Sequence, residues 1–243
     1  MMKDSDFIIY QDYEMDQNSY KNYTNKIFEK IMSYSELKYE DIKKNPLITR
    51  YLCSLVGIFN TSAAVKCVVQ LGLYGNSILG LGTAKHEQFL KRAYNLKDLG
   101  CFMMTELGHG SNVQQLLTTA HYIHSERAFV LNTPHELGMK FWIGNLGRTA
   151  NMGVCFANLI INNKNQGIHV FLVKIRNDKG DILPGINLGD CGPKFGMNGI
   201  DNGWVIFRRV KIPYDFLLDK YSQIDEKGNF RSAVQNHNKR FAL

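Results

Sequence analysis

The segment CFMMTELGHGSN, Cys101 to Asn112, lies just beyond the point at which the character of the chain changes. Before residue 97, glycine is sparse and apolar residues recur at the spacing of helices. After it, runs rich in β-branched and aromatic residues, such as Met152 to Ile161 and Trp204 to Ile212, are predicted to be strands and alternate with turn signals. The glycine-rich segment from Gly189 to Trp204 is predicted to be a long loop. Short strands at close spacing, with no helices between them, predict an antiparallel barrel or sandwich. The fold class predicted here is therefore α+β.

Three stretches are predicted to form separate domains. Residues 1–97 are expected to form an N-terminal helical domain, with about four helices between residues 17 and 95. Residues 98–225 are expected to form the middle β-domain. Residues 226–243 are expected to begin a helical C-terminal domain that is otherwise missing from this chain.

The composition is that of an ordinary globular protein, with 243 residues, 44% of them hydrophobic, and a formal net charge of +7. No apolar run reaches the roughly 18 residues that span a bilayer, and no signal peptide is evident, so no membrane span is predicted. The five cysteines are widely spaced and include no C-x-x-C, so neither a disulfide framework nor a cysteine metal site is predicted. Basic residues are scattered, and no nucleic-acid partner is predicted.

The opening segment is the first candidate site. Its strand ends at Thr105, and the glycines, histidine and Ser111 that follow suit a turn whose backbone approaches a ligand closely. It lacks the third glycine of the dinucleotide fingerprint and the Gly-Lys-Ser/Thr ending of a P-loop. Taken by spacing alone, a plain glycine turn between strands explains it as well.

The second candidate is KFWIGNLGRTA, Lys140 to Ala150, which holds one of only two tryptophans. Trp142 lies two residues before Gly144, and a tryptophan at a strand end beside a glycine can form the wall of a site for a flat aromatic ligand. A core tryptophan followed by a turn is the alternative.

Other chemistries find less support. His121 and His124 would point to opposite faces of a strand, and no metal-ligand spacing is present, so no metal site is predicted. His109 and Ser111 are close in sequence, but G-H-G-S-N is not the nucleophile elbow of a hydrolase.

The two candidate segments together resemble the acyl-CoA oxidase branch of the acyl-CoA dehydrogenase superfamily, above all the branched-chain, pristanoyl-type oxidases. Further motifs follow in family order. They are GLYGNSILGLGTAKH from Gly72, TTAHY from Thr118, GIHVFLVKIR from Gly167, KFGMNGIDNGW from Lys194 and KIPYDFLL from Lys211. The resemblance runs from about residue 50 to the end of the chain.

This resemblance implies a helical N-terminal domain, a β-domain and a C-terminal helical bundle, with FAD as the cofactor. Carried over residue by residue, Thr105 and Gly144 match positions that contact the flavin, and Trp142 matches the aromatic residue beside the isoalloxazine. Ser111 matches a residue near the thioester or the pantetheine arm of the substrate. A glycine at position 144 is typical of the oxidases, whereas the dehydrogenases usually have threonine there.

The implied reaction is α,β-dehydrogenation of a fatty acyl-CoA, in fatty acid β-oxidation, with O2 reduced to hydrogen peroxide. The family also implies a homodimer and a peroxisomal location, although the C-terminal Phe-Ala-Leu is not a Ser-Lys-Leu-type signal. The catalytic glutamate of these oxidases lies in the C-terminal bundle, so the base is expected beyond Leu243 and no catalytic residue is assigned. Glu106 has a family counterpart that is not the base.

Three hypotheses follow. In the first, the chain is a partial product of an oxidase gene. In the second, it is a short subunit that needs a partner chain to supply the base. In the third, it is a catalytically inactive relic that binds acyl-CoA or flavin.

Overall fold

The structure is a computed structural model and describes residues 15–34, 39–45 and 47–234. The prediction of a helical region is confirmed for the described residues between 17 and 95. The helices are α1 (Gln17–Met32), α2 (Tyr39–Lys44), α3 (Leu47–Phe59), α4 (Thr61–Cys67), a π-helical segment (Val68–Gly75), α5 (Asn76–Leu81), a 3-10 turn (Ala84–His86) and α6 (Glu87–Tyr94).

Helix α1 begins at a side-chain cap. The Asp16 carboxylate accepts hydrogen bonds from the backbone N–H groups of Asn18 at 2.8 Å and Ser19 at 3.1 Å. These donors have no carbonyl partner within the helix, so the cap fixes where α1 starts. Ile27 and Ile31, one turn apart, are both buried, and this apolar face holds α1 against the neighbouring helices.

Helix α4, the π-helical segment and α5 form one continuous run, residues 61–81. By length and composition alone this run could cross a membrane, and half of its apolar window is buried inside the protein. It crosses β1 so closely that a Cβ atom at Gly100 would lie 2.1 Å from a ring atom of Tyr74. Only glycine permits this contact, and the run forms the layer that covers the sheet.

The strands are β1 (Gly100–Met103), β2 (Thr119–Ile123), β3 (Ala128–Asn132), β4 (Lys140–Ile143), β5 (Met152–Ile161), β6 (Lys164–Lys174), β7 (Ile186–Asp190), β8 (Gly203–Phe207), β9 (Val210–Pro213), β10 (Ser222–Ile224) and β11 (Phe230–Ser232). Six of them form the main sheet, in the order β1-β5-β2-β3-β9 with β6 on the other edge of β5. Strands β4, β8 and β7 form a second sheet, and β10 and β11 form a hairpin.

The α+β class is confirmed, but the main sheet is mixed rather than wholly antiparallel. Strands β1 and β2 both pair with β5 in parallel. Parallel pairing needs a long crossover, and the chain between β1 and β5 supplies one because it includes the three intervening strands. The sequence showed short strands at close spacing but carried no signal for which strands pair.

Strand β5 is buried on both faces and separates two cores. Met152, Val154 and Phe156 face the core shared with the helices, whereas Cys155 and Ala157 face the core inside the β-domain. Successive side chains along a strand point to opposite faces of the sheet, so alternate residues of β5 enter different cores. The two candidate segments include the ends of β1 and β4, and both of these strands contribute to the core inside the β-domain.

The later strands differ from the sequence prediction in two places. A single strand was predicted from Trp204 to Ile212, but the chain turns at Arg209, which has a φ of 54°, and divides it into β8 and β9. Gly189 and Asp190 were predicted to lie in a loop and instead end β7. Residues 235–243, within the predicted start of a third domain, lie outside the described residues.

Candidate functional site

Trp142 presents an exposed ring from a strained backbone. It lies in β4, as a strand-end tryptophan was predicted to, and 55% of its surface is exposed. Its φ of 65° is an outlier for a bulky residue, and such strain persists only where the surroundings impose it. The Asn202 side-chain amide donates to the Trp142 carbonyl at 3.2 Å. A large apolar ring held in solvent by a strained backbone indicates a surface for a ligand.

Thr105 is joined directly to the same strand. Its hydroxyl donates to the Phe141 carbonyl at 2.8 Å, and the Phe141 N–H donates to the Thr105 carbonyl at 3.2 Å. The hydroxyl oxygen keeps acceptor capacity for a ligand. The two candidate segments, which are 36 residues apart at this contact, therefore meet at one place.

Gly144 opens the turn of residues 144–150, which packs on the helical layer. A Cβ atom at Gly144 would lie 3.1 Å from Cγ2 of Val69. The Arg176 guanidinium donates to the carbonyls of Leu146 at 3.1 Å and Gly147 at 3.2 Å, and also to that of Ala150. The Arg176 side chain, which lies outside the turn, thus helps to hold the conformation of the turn.

A buried ion pair joins Glu106, which follows Thr105, to Lys140, which lies two residues before Trp142. The Lys140 ammonium is 3.0 Å from the Glu106 carboxylate, and both side chains are fully buried. The carboxylate accepts from the Leu117 N–H at 2.7 Å and from the Thr118 N–H and hydroxyl at 3.0 and 2.6 Å. Lys140 also donates to the carbonyls of Met104 and Phe156 at 3.1 and 2.7 Å.

The pKa of the Glu106 carboxyl reflects this environment. Burial by itself raises the pKa, but the charge of Lys140 and the hydrogen bonds from Leu117 and Thr118 outweigh burial and lower it below its usual range. The Glu106 carboxylate is therefore ionised, and it is bound to Lys140, Leu117 and Thr118. This pair was not found in the sequence, where the only signal was a glutamate and a lysine within the two candidate segments.

Ser111, the other candidate residue, lies on the exposed part of the loop after β1. Among the described residues no hydrogen bond joins it to Thr105 or Gly144. His109, two residues before it, has Nδ1 at 3.3 Å from the Glu106 carboxylate, within reach of an ion pair if the histidine is protonated. Within the described residues, no group of three His, Cys, Asp or Glu side chains is placed to hold a metal ion.

A groove of about 310 Å³ lies between the helical layer and the sheet. Its helical wall is one face of the run, residues 72, 73, 76, 77, 80 and 81. Its floor crosses the sheet from Met104, beside Thr105, through the cross-strand pair Phe156 and Val170 to Leu218, whose N–H donates to the Val170 carbonyl. At Met104 the lining of the groove is one residue along the chain from Thr105. Sequence analysis missed it because it forms only when the layers pack.

Known proteins share this sequence and this fold. Residues 101–210 match the family described as "Acyl-CoA dehydrogenase, middle domain". The chain is 34% identical over 214 residues to peroxisomal acyl-coenzyme A oxidase 3 of Homo sapiens, covering 87% of this chain and 31% of that one. It is 44% identical over 176 residues to an acyl-coenzyme A oxidase of Kluyveromyces lactis, covering 70% and 24%.

This chain is a homologue of the acyl-CoA oxidases. The crystal structure of acyl-CoA oxidase 3 from Yarrowia lipolytica matches this oxidase homologue with a TM-score of 0.87 and 34% identity, over 95% of this chain and 33% of that one. Acyl-CoA oxidase-2 of Caenorhabditis elegans, described as bound with FAD, ascaroside-CoA and ATP, matches with a TM-score of 0.76 and 26% identity, over 98% and 35%. The chain spans between about a quarter and about a third of the length of these relatives.

Proposed function

We propose that the protein is an FAD-dependent acyl-CoA oxidase and that Thr105, Trp142 and Gly144 form the protein's contact with the flavin. The observation that carries the proposal is the exposed, strained Trp142 ring beside the Thr105 hydroxyl, in a homologue of the acyl-CoA oxidases. A flat heterocycle fits this place because the ring of Trp142 offers an apolar face and Thr105 offers a polar group at its edge.

Each of these groups has a distinct part in binding. The Thr105 hydroxyl is fixed by its bond to the Phe141 carbonyl, so it meets a ligand with its acceptor side. Trp142 excludes water from one face of the flavin. Gly144 has no side chain that would compete with the flavin ring for space. Val69 lies against Gly144 on the side of the helical layer and supports the turn. When bound, the flavin supplies the acceptor for the substrate β-hydride and the centre that reacts with O2.

The groove beside Thr105 is the proposed site for the flexible part of the acyl-CoA. The groove is lined by Leu73, Phe102 and Phe156, which suit an apolar chain, and by Asn76 and Ser77, which suit the amides of the CoA arm. Because the groove begins at Met104, a thioester lying in it would be brought beside the flavin contact. Ser111 remains a prediction for the thioester or pantetheine end.

The base for the α-proton is not assigned to any described residue. Two carboxylates close to the flavin contact in the fold, those of Glu106 and Asp201, are buried in ion pairs with Lys140 and Lys66. A carboxylate engaged in this way is held ionised by its partner and is a poor proton acceptor.

Several relatives are named as peroxisomal oxidases, and we propose the same compartment for this protein.

The same observation favours a second candidate function, a protein that binds flavin and acyl-CoA without turnover or that needs a partner chain for the base. The visible spectrum of the purified chain during anaerobic titration with a long-chain acyl-CoA, followed by a peroxide assay in air, separates the candidates. Flavin that bleaches, with peroxide on reoxidation, supports the oxidase. Flavin that stays oxidised supports the second candidate, and a chain without flavin contradicts both.

Thr105→Val is expected to weaken FAD binding by about 1 kcal/mol, roughly fivefold, because the hydroxyl bond to the ligand is lost while the shape is kept. The measurement is the dissociation constant from flavin fluorescence. The matched control is Thr119→Val in β2, whose hydroxyl is 3.5 Å from the Asn132 carbonyl and lies outside the site. Equal affinity in Thr105→Val and wild type would remove Thr105 from the flavin contact.

A further inference from the structure

We propose that Lys66, on α4, is a positioning residue that sets the conformation of the turn of residues 144–150 and, through it, of the flavin contact. The proposal rests on the proposed function, since it concerns the same site. Lys66 belongs to the helical region and the turn to the β-region, so the helical layer would act on the flavin contact directly. In the sequence Lys66 was only an interruption of an apolar helical stretch.

The Lys66 ammonium donates all of its hydrogen bonds to residues of the turn and to Asp201. It donates to the Asp201 carboxylate at 2.6 Å, the Asn145 side-chain oxygen at 3.0 Å and the Thr149 hydroxyl at 3.3 Å. An ammonium has three donors, so none is left over. The side chains of Lys66 and Asp201 are 1% and 2% exposed. A lysine buried this deeply needs such partners.

Asp201 carries the effect of Lys66 into the turn. Its second carboxylate oxygen accepts from the backbone N–H groups of Arg148 and Thr149, both at 2.9 Å. Its backbone carbonyl accepts from the Gly147 N–H at 3.0 Å. The carboxylate therefore caps the turn, and Lys66 supplies the charge that lets it remain buried there.

The same network reaches the flavin contact by two routes. Asn202, next to Asp201, donates to the carbonyl of Trp142 at 3.2 Å, at the residue with the strained backbone. Val69, one helical turn after Lys66, is the side chain against which Gly144 packs. Asn145, which lies between these points, has a φ of 67°. Of two residues on one face of α4 and its continuation, Val69 thus lies against Gly144, and Lys66 is linked to Trp142 through Asp201 and Asn202.

Loss of the ammonium would leave the Asp201 carboxylate buried without a cation. The free energy is lowered most simply if the carboxylate moves toward water, and its two bonds from the backbone N–H groups of Arg148 and Thr149 would then move the turn with it. A purely structural pair would lower stability only. A positioning residue would also change the surroundings of Trp142 and the spectrum of bound flavin in the folded protein.

The test uses the full chain with Trp204→Phe, which leaves Trp142 as its only tryptophan. Lys66→Met removes the charge, and Lys66→Arg restores it. The matched control is Lys85→Met, because Lys85 and Asp219 also form a Lys–Asp pair at 2.6 Å between the helical and β-regions, away from the turn. The readouts are acrylamide quenching of Trp142 without flavin, the spectrum of bound FAD, its dissociation constant and the midpoint of urea unfolding.

Lys66→Met is expected to change Trp142 quenching, shift the FAD spectrum and weaken FAD binding about tenfold, the size of an ordinary coupling between sites. Lys66→Arg should recover most of this, and Lys85→Met should lower only the unfolding midpoint. If Lys66→Met lowers the midpoint but leaves quenching and spectrum as in the parent chain, the proposal is overturned. A parent chain that binds no FAD contradicts the proposed function instead, while Trp142 quenching still decides the role of Lys66.

Discussion

Lys140→Met is expected to lower the free energy of unfolding by about 3–5 kcal/mol, the cost of breaking a buried ion pair by removing one partner. Methionine matches lysine in length but leaves the Glu106 carboxylate buried without a cation. It also frees the carbonyls of Met104 and Phe156, which Lys140 now satisfies. Urea unfolding at pH 7 measures the effect. Lys174→Met is the matched control, since Lys174 pairs with Asp178 at 3.5 Å on the exposed surface and should change stability by about 1 kcal/mol or less.

The loss of stability in Lys140→Met depends on pH, and the direction of this dependence follows from the pKa of Glu106. The pKa of Glu106 is lowered in the folded protein, so its contribution to stability is complete above the unfolded value of about 4.3 and is lost as the pH falls through the folded pKa. In Lys140→Met this carboxyl loses the cation that lowers its pKa. The stability difference between wild type and Lys140→Met should therefore shrink in acid. A difference that is small at pH 7, or that grows in acid, would contradict the buried pair.

Gly144→Leu is expected to weaken FAD binding by about tenfold or more. The added side chain begins 3.1 Å from Val69, which cannot retreat because it is part of the packed helical layer, so the leucine must displace the turn or project into the ligand. The dissociation constant for FAD is the measurement, with circular dichroism to confirm that the variant is folded.

Gly196→Leu is the matched control for that experiment. It adds the same side chain at an exposed position where a Cβ atom meets nothing within 4 Å, outside both the turn and the groove. Its FAD affinity should equal that of wild type. Equal FAD affinity in Gly144→Leu and Gly196→Leu would remove the turn of residues 144–150 from the flavin contact.

The sequence predicted the parts of the fold that depend on local pattern. Ile27 and Ile31 repeat at helical spacing and are buried in α1, and the run from Met152 to Ile161 forms β5. Pairing depends on long-range contacts, so the parallel alignment of β1 and β2 on β5 left no local signal. The break at Arg209 was missed because a non-glycine residue with positive φ is not read from composition.

Some parts of the candidate site could likewise be predicted from the sequence, and others could not. The structure joins Thr105 to the strand of Trp142, as their shared place in the resemblance implied, although their contact with a flavin stays a prediction. Lys66, Glu106 and Asp201 could not have been assigned partners, because ion pairs between distant segments are set by packing. The groove was hidden for the same reason, since its wall and floor come from different layers.

The most direct test of the account is a titration of the Trp204→Phe chain with FAD, followed by quenching of Trp142 fluorescence. If Trp142 contacts the flavin as proposed, we expect saturable binding of one FAD per chain, with strong quenching of Trp142 and of the flavin, because the indole ring would then lie against the isoalloxazine. Saturable binding that leaves Trp142 unquenched, or no saturable binding at all, would contradict the claim that Thr105, Trp142 and Gly144 form a flavin contact.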